Sequence, residues 1–175
     1  YLNINRGNRL LSICSMASKA RGLSFWLNEN RKGEAIASRQ VNQGDVVNSL
    51  IKCQNGETIL LTHDCTLPRP YSRGGKVQGV KGIWQEDNSS IFIDGLSPKK
   101  EGYWTHIWES DEKYMQEFKH PLWQKYEDFG VQEGHGGMDF LVLRAFIDSI
   151  QRRQPFPIDV YDTASLMAIT PLSEE

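Results

Sequence analysis

The chain has 175 residues, 39% hydrophobic and 24% charged, with a formal net charge of −2. That length builds one domain with a sizeable core, and the slight acidity leaves no excess of positive charge to neutralise a phosphate backbone, which argues against nucleic acid as a partner. No run approaches the roughly 20 apolar residues that span a bilayer, and no charged-then-apolar leader opens the chain, so no membrane partner is expected either.

The chain begins at Tyr1 without a methionine, and Leu2-Asn3-Ile4 reads as ordered, alternating structure, as though cut from a longer protein. On that reading the missing leader does not bear on location, and cytoplasm and periplasm both stay open. Gly7-Asn8 breaks the pattern, and the mixed periodicity of Leu10 to Ala17 suits a strand or a short helix. An apolar stretch, Leu23 to Leu27, precedes a charged, turn-forming loop over Asn28 to Gly33.

From Val46 the pattern is cleaner. Val46 to Cys53 and Thr58 to Cys65 flank Asn55-Gly56, a strong hairpin cue. A two-residue turn there pairs Cys53 with Thr58, Leu50 with Leu61 and Asn48 with His63, leaving both faces mixed in character. It also places Cys65 seven residues beyond Thr58, roughly 23 Å at strand rise, too far to bridge to Cys53. With an odd count and no metal-type spacing, Cys14, Cys53 and Cys65 are expected to be buried free thiols.

Leu67-Pro68-Arg69-Pro70-Tyr71-Ser72-Arg73 comes next, a loop stiffened by two prolines. Alternate spacing throws Arg69, Tyr71 and Arg73 to a common side if the loop is extended. Two guanidinium groups and a phenol could orient sugar hydroxyls or ligand acids, or they could simply be a surface loop's exposed side chains. Lys76 to Trp84 and Ser90 to Ile93 read as two more strands, separated by the turn-rich Glu86 to Ser89.

The later half is helical. Asp111 to Lys119 carries acids at its start, Leu122 to Phe129 offers Trp123, Tyr126 and Phe129 for packing, and His106 and His120 read as structural histidines among aromatic residues. Gly134-His135-Gly136-Gly137 then opens a dense apolar run expected to be a buried helix ending near Arg152. His135 could contact a ligand or do acid–base work, or be bonded into its own loop. Asp139 fits the start of that helix better than a pocket. Asp159 to Thr170 reads as a last helix, capped by Asp159 and stopped at Pro171. His63, Asp64 and Cys65 alternate along a strand and cannot share a metal. Strands first and helices later give an α+β fold: an open, mostly antiparallel sheet with helices packed on one face, as a single domain over residues 1–175.

Four stretches, YLNINRGNR, PRPYSR with VQGVKG, GHGGMDFLVLRAFIDSI and IDVYDTASLMAITPLSE, carry a resemblance. They resemble the C-terminal domain of the glucose-fructose oxidoreductase, inositol dehydrogenase and rhizopine-catabolism superfamily, and within it the NAD-dependent α-N-acetylgalactosaminidases of glycoside hydrolase family 109. The resemblance implies an N-terminal Rossmann domain that binds NAD, absent from this chain, followed by this domain for substrate contacts and for homo-oligomer assembly through the sheet face. It implies hydrolysis of an N-acetylgalactosaminide-like glycoside by oxidation, elimination, hydration and reduction, an exception to the usual pair of carboxylates, with the cofactor carrying the difficult chemistry. Tyr71 then matches the family's substrate-contacting tyrosine and His135 the histidine of its glycine-rich loop, with Arg69 and Arg73 as further substrate-binding candidates. The main acid–base groups are expected upstream of Tyr1, so that the fragment alone would bind no cofactor and be inactive. A plain NAD(P)-dependent sugar or polyol dehydrogenase and a subunit-assembly module are the alternatives.

Overall fold

The structure, a computed structural model, describes residues 2–102, 106–126 and 135–174. They fall into two compact units, Tyr1–Arg69 with Arg153–Glu175, and Pro70–Arg152. The fold is α+β, with open antiparallel sheets and helices. No helix among the described residues is long and apolar enough to cross a membrane.

The first unit is built on a sheet of order β1-β2-β3, from β1 (Leu10–Ala17), β2 (Val46–Cys53) and β3 (Thr58–Asp64). Leu2 to Asn8 is a tight turn and not alternating structure, with Asn3 and Asn5 at positive φ, a conformation asparagine tolerates through its short polar side chain. Buried Asn8 ties that turn to the hairpin by donating to Leu2 O and Glu57 Oε2 and accepting from the Asn55 amide.

The hairpin forms, but its register differs from the expected one by a residue. Leu50 faces Leu60, Asn48 faces Thr62, and Lys52 faces Thr58. The turn has three central residues: Cys53 N donates to Glu57 O, Gly56 N donates to Cys53 O, and Gly56 takes φ +104°. A one-residue slip flips every side chain of one strand relative to its partner. On β2, Val47, Ser49, Ile51 and Cys53 are buried while Asn48, Leu50 and Lys52 are exposed, so one face is turned to the core although each face carries both polar and apolar residues. Among the cysteines only Cys53 is buried, and burial pushes its thiol up. Cys14 and Cys65 are free but exposed, contrary to expectation: Cys14 faces exposed Leu50, and Cys65 lies just past the end of β3.

Helix α1 (Gly22–Asn30) runs three residues into the stretch expected as loop. Its first amides are satisfied from a distance: Asp45, buried in the loop before β2, accepts from Arg21 N and Gly22 N as well as from Thr66 Oγ1. These bonds hold the Asp45 carboxyl below its ordinary range, that from Thr66 foremost. Two further helices, α5 and α6 in chain order, span Val160–Met167 and Ile169–Ser173. Asp159 caps α5 with a complete capping box to Asp162. Pro171 does not stop the chain; it sits in the first turn of α6, where its missing N–H is no loss. Helix α6 packs on β1.

The second unit carries a sheet of order β4-β5-β6-β7: β4 (Lys76–Gly79), β5 (Gly82–Gln85), β6 (Ser90–Ile93) and β7 (Glu109–Ser110). Lys76 to Trp84 is thus two strands and not one, turned at Val80-Lys81. Gly82, the first residue of β5, lies close against β6, since a Cβ there would lie 2.4 Å from Phe92 O. Helices α2 (Glu112–Glu117), α3 (Pro121–Tyr126) and α4 (Met138–Arg152) complete the unit's regular elements among the described residues. Phe129 and Gly134 lie outside the described residues. The expected buried helix is present as α4, ending at Arg152, but it is not buried: Leu141 and Ser149 are, while Val142, Leu143, Phe146, Ile147 and Ile150 are exposed. Tyr126 packs edge-on against Phe140 of α4, with ring centroids 5.6 Å apart.

Candidate functional site

The backbone at Tyr71 is anchored on its C-terminal side by Ser72, Arg73 and Gly75. Arg73 donates through Nε and Nη2 to Glu86 Oε1, at 2.8 and 2.6 Å. The other carboxylate oxygen, Oε2, accepts from Gly75 N at 2.9 Å, and Glu86 N returns a bond to Gly75 O at 2.8 Å. Ser72 Oγ donates to Asp87 and accepts from Gly74 N. The Gly75 amide and then the Arg73 guanidinium hold the Glu86 carboxyl below its usual range. Reciprocally, the bond to Glu86 and its charge raise Arg73, with a smaller contribution from nearby Tyr71. Tyr71 itself is 90% exposed.

Arg69 takes a different partner, its Nε lying 3.1 Å from Asp64 Oδ2. The second oxygen of that carboxylate, Oδ1, is buried without a hydrogen bond. Asp64 thus pairs with Arg69 at the end of β3.

His135 opens a short 3-10 turn, His135–Gly137, that leads into α4. All three residues have positive φ, at 50°, 69° and 91°, which costs the glycines little and the histidine more. Its Nδ1 lies 3.0 and 3.1 Å from the two carboxylate oxygens of Asp139. Asp139 thus serves the first turn of α4 and the imidazole together. With Nδ1–H directed at the carboxylate, Nε2 is left as the outward-facing nitrogen of an exposed ring. Neutral, it accepts a hydrogen bond or a proton; charged, it donates.

Among the described residues no hydrogen bond, ion pair or ring contact joins Tyr71 to His135, and the two stand as separate features. Two of the other three histidines have structural engagements: His106 stacks edge-on against Phe92, and His120 Nδ1 accepts from Leu122 N at the start of α3, while His63 is exposed on β3. A cavity of about 370 Å³ lies in the first unit, between β1 and the α5–α6 segment, lined by Leu10, Ile13, Ile51 and Ile169 among others. Arg9 is its one charged liner, and none of the four sequence-derived site residues reaches it. Mostly apolar and lined by no carboxylate or imidazole, it lacks the acid–base groups of glycoside chemistry.

Sequence reasoning passed over Glu86 and Asp87, which read only as turn residues, and Asp45. The signal for the first pair was available in the turn at Val80-Lys81, because closing the chain there brings Gly75 opposite Glu86. Asp45 has no comparable local signature.

Over residues 1–175 the chain matches the family described as glycosyl hydrolase 109, C-terminal domain. It is 47% identical over 177 residues to a glycosyl hydrolase family 109 protein of Stenotrophomonas maltophilia, covering 100% of this chain and 38% of the relative. To an α-N-acetylgalactosaminidase of Tannerella forsythia it is 42% identical over 99% of this chain and 36% of the relative. An α-N-acetylgalactosaminidase of Shewanella oneidensis is 36% identical over 100% of this chain and 38% of its own length. The chain therefore spans little more than a third of these relatives.

Proposed function

The chain belongs to the glycosyl hydrolase 109 family, as its C-terminal domain, and on that premise we propose that it is the sugar-holding domain of an NAD-dependent α-N-acetylgalactosaminidase. The observation that carries the reading is Tyr71, a fully presented aromatic side chain on a segment braced by Glu86 and Asp87. An aromatic ring with a hydroxyl at its tip suits a sugar, which offers an apolar face and polar edges. Arg73, whose side chain is 70% exposed despite its bond to Glu86, and Arg69 supply further donors to hydroxyls. His135, oriented by Asp139, presents Nε2 to a polar group of the substrate.

NAD binding is assigned to the rest of the parent, in an N-terminal Rossmann domain, with residues 1–175 acting as one substrate-binding domain. The described residues do not fit a dinucleotide. β1 runs into α1 through Ser18 to Arg21 without a glycine, and the first turn of α4, just after its glycines, carries the Asp139 carboxylate, which repels a pyrophosphate. This chain's share of the work is to bind and orient the glycoside.

The test uses the full-length enzyme with NAD and a chromogenic α-N-acetylgalactosaminide. Chromophore release without net NADH is expected; NADH accumulating with each turnover would mean a sugar dehydrogenase instead. Tyr71→Ala should raise KM at unchanged melting temperature, as an exposed side chain contributes little to stability.

A second reading rests on the outer face of the first sheet, where Met16, Leu50 and Leu60 are exposed, Leu60 by 71%. Leu50 faces both Cys14 and Leu60 across the strands. We propose this face as the surface through which copies of the enzyme assemble. Light scattering on the full-length protein should give an oligomer that Leu60→Glu dissociates; a monomer at high concentration would overturn the idea.

A further inference from the structure

We infer that Glu86 and Asp87 are positioning residues, which hold Tyr71 toward the substrate through the Ser72 to Gly75 segment. The inference rests on the reading that Tyr71 contacts the sugar.

Tyr71 has no hydrogen bond or ring contact of its own among the described residues, so its direction depends on the backbone to either side. On one side Pro70 limits φ to a narrow range. On the other, each of the next four residues is fastened, directly or through its neighbour, to the turn after β5. Ser72 reaches Asp87, Arg73 and Gly75 reach the two oxygens of Glu86, and Gly74 closes back on Ser72 Oγ. The backbone pair Gly75 O with Glu86 N continues the β4–β5 ladder one step beyond Lys76 and Gln85. A rigid hairpin thus extends to within four residues of the tyrosine, and side-chain bonds carry the constraint the rest of the way.

Two features argue that the brace is specific to this place. Gly75 is needed for it, because a Cβ there would lie 2.8 Å from Glu86 Oε2 and 3.1 Å from the Trp84 ring. The Glu86 carboxylate also uses both oxygens within the segment, one on a backbone amide and one on a guanidinium, and it is only 23% exposed. Charge-assisted bonds of this kind are shorter and more directional than neutral ones.

A double-mutant cycle in the full-length enzyme separates positioning from simple support of the hairpin. Glu86→Ala should lower kcat/KM about 10- to 100-fold, the cost of a displaced contact group, mainly through KM. In a Tyr71→Ala background the same change should cost no more than about twofold, since the residue it acts through is gone. Asp87→Ala should behave likewise while Asp87→Asn, which keeps an acceptor for Ser72, restores activity. Should Glu86→Ala fail to fold, the exposed Asp87 pair and its cycle with Tyr71→Ala stand in for it. Unchanged kcat/KM in the brace variants, or losses that multiply fully with Tyr71→Ala, would overturn the inference while leaving the substrate contact intact. If Tyr71→Ala alone left kcat/KM unchanged, the contact itself would be wrong, and the inference would fall with it.

Discussion

His135 Nδ1 sits 3.0 Å from Asp139 Oδ2, across one helical turn that begins with two glycines in the left-handed region. The carboxylate selects the tautomer and the ring's direction together, so Asp139 has a role in orientation as well as at the helix start. Asp139→Asn keeps the size and one acceptor but removes the charge. In the full-length enzyme it should lower kcat/KM about 10- to 150-fold, the value of a hydrogen bond to a charged group, with the melting temperature little changed. Equal activity of wild type and Asp139→Asn would return Asp139 to the helix alone.

The positive φ of His135 gives a second test. A left-handed conformation costs an L residue roughly 1–2 kcal/mol and glycine almost nothing. His135→Gly should therefore leave the folded enzyme as stable as wild type or up to about 1 kcal/mol more stable, after the entropy of a freer unfolded chain is counted, while activity falls. A loss of stability would mean that the ring packs structurally.

At the β4–β5 turn, Gly82→Ala places a methyl group 2.4 Å from Phe92 O, against backbone that cannot swing aside. Overpacking of this kind costs about 1–3 kcal/mol or more. Because this hairpin carries the brace on Tyr71, urea unfolding and KM should worsen together.

The hairpin register predicts a contrast across one turn. Ile51 is 2% exposed, and Ile51→Ala should cost about 2–5 kcal/mol. Thr58, exposed on the opposite face, should tolerate alanine within about 0.5 kcal/mol. In the two-residue-turn register Thr58 would lie beside Ile51 and the two losses would be linked. Chemical denaturation of both variants separates the registers.

Acid should weaken the fold in a defined window. Glu86 and Glu109 are held below their ordinary 4.5, by the Gly75 amide and by the Ser97 hydroxyl first of all. Asp45 and Asp162 are held below 3.8, by Thr66 and by Arg6 respectively. Since the folded forms bind protons less readily than the unfolded chain, their contribution is complete above those ordinary values and is lost as pH falls through the depressed ones. The urea midpoint should be flat near neutrality and drop below about pH 4.5. Asp162→Asn, which removes the pair with Arg6 at 2.6 Å, should make the drop shallower.

Much of this was legible along the chain. Asn55-Gly56 announced a hairpin, Asp159 announced a helix start, and the glycines around His135 announced the opening of a helix, because each depends on residues a few positions apart. The α+β class followed from the order of strands and helices. The family followed from four long motifs, and the match over residues 1–175 bears it out.

Local pattern could not supply which distant group satisfies which. Whether the hairpin turn held two residues or three decided every facing pair between β2 and β3, since side chains alternate with a period of two and a single step inverts them. Asp45 completes the start of α1 from 23 residues away, and Glu86 fastens Gly75 from 11 away; such bonds arise when folding brings the groups together and leave no periodic trace. Short-range chemistry along the chain was enough for the element types, the family, and the tyrosine and histidine worth testing. What holds each of those two still emerged only in three dimensions, because orientation comes from hydrogen bonds to carboxylates that folding brings alongside.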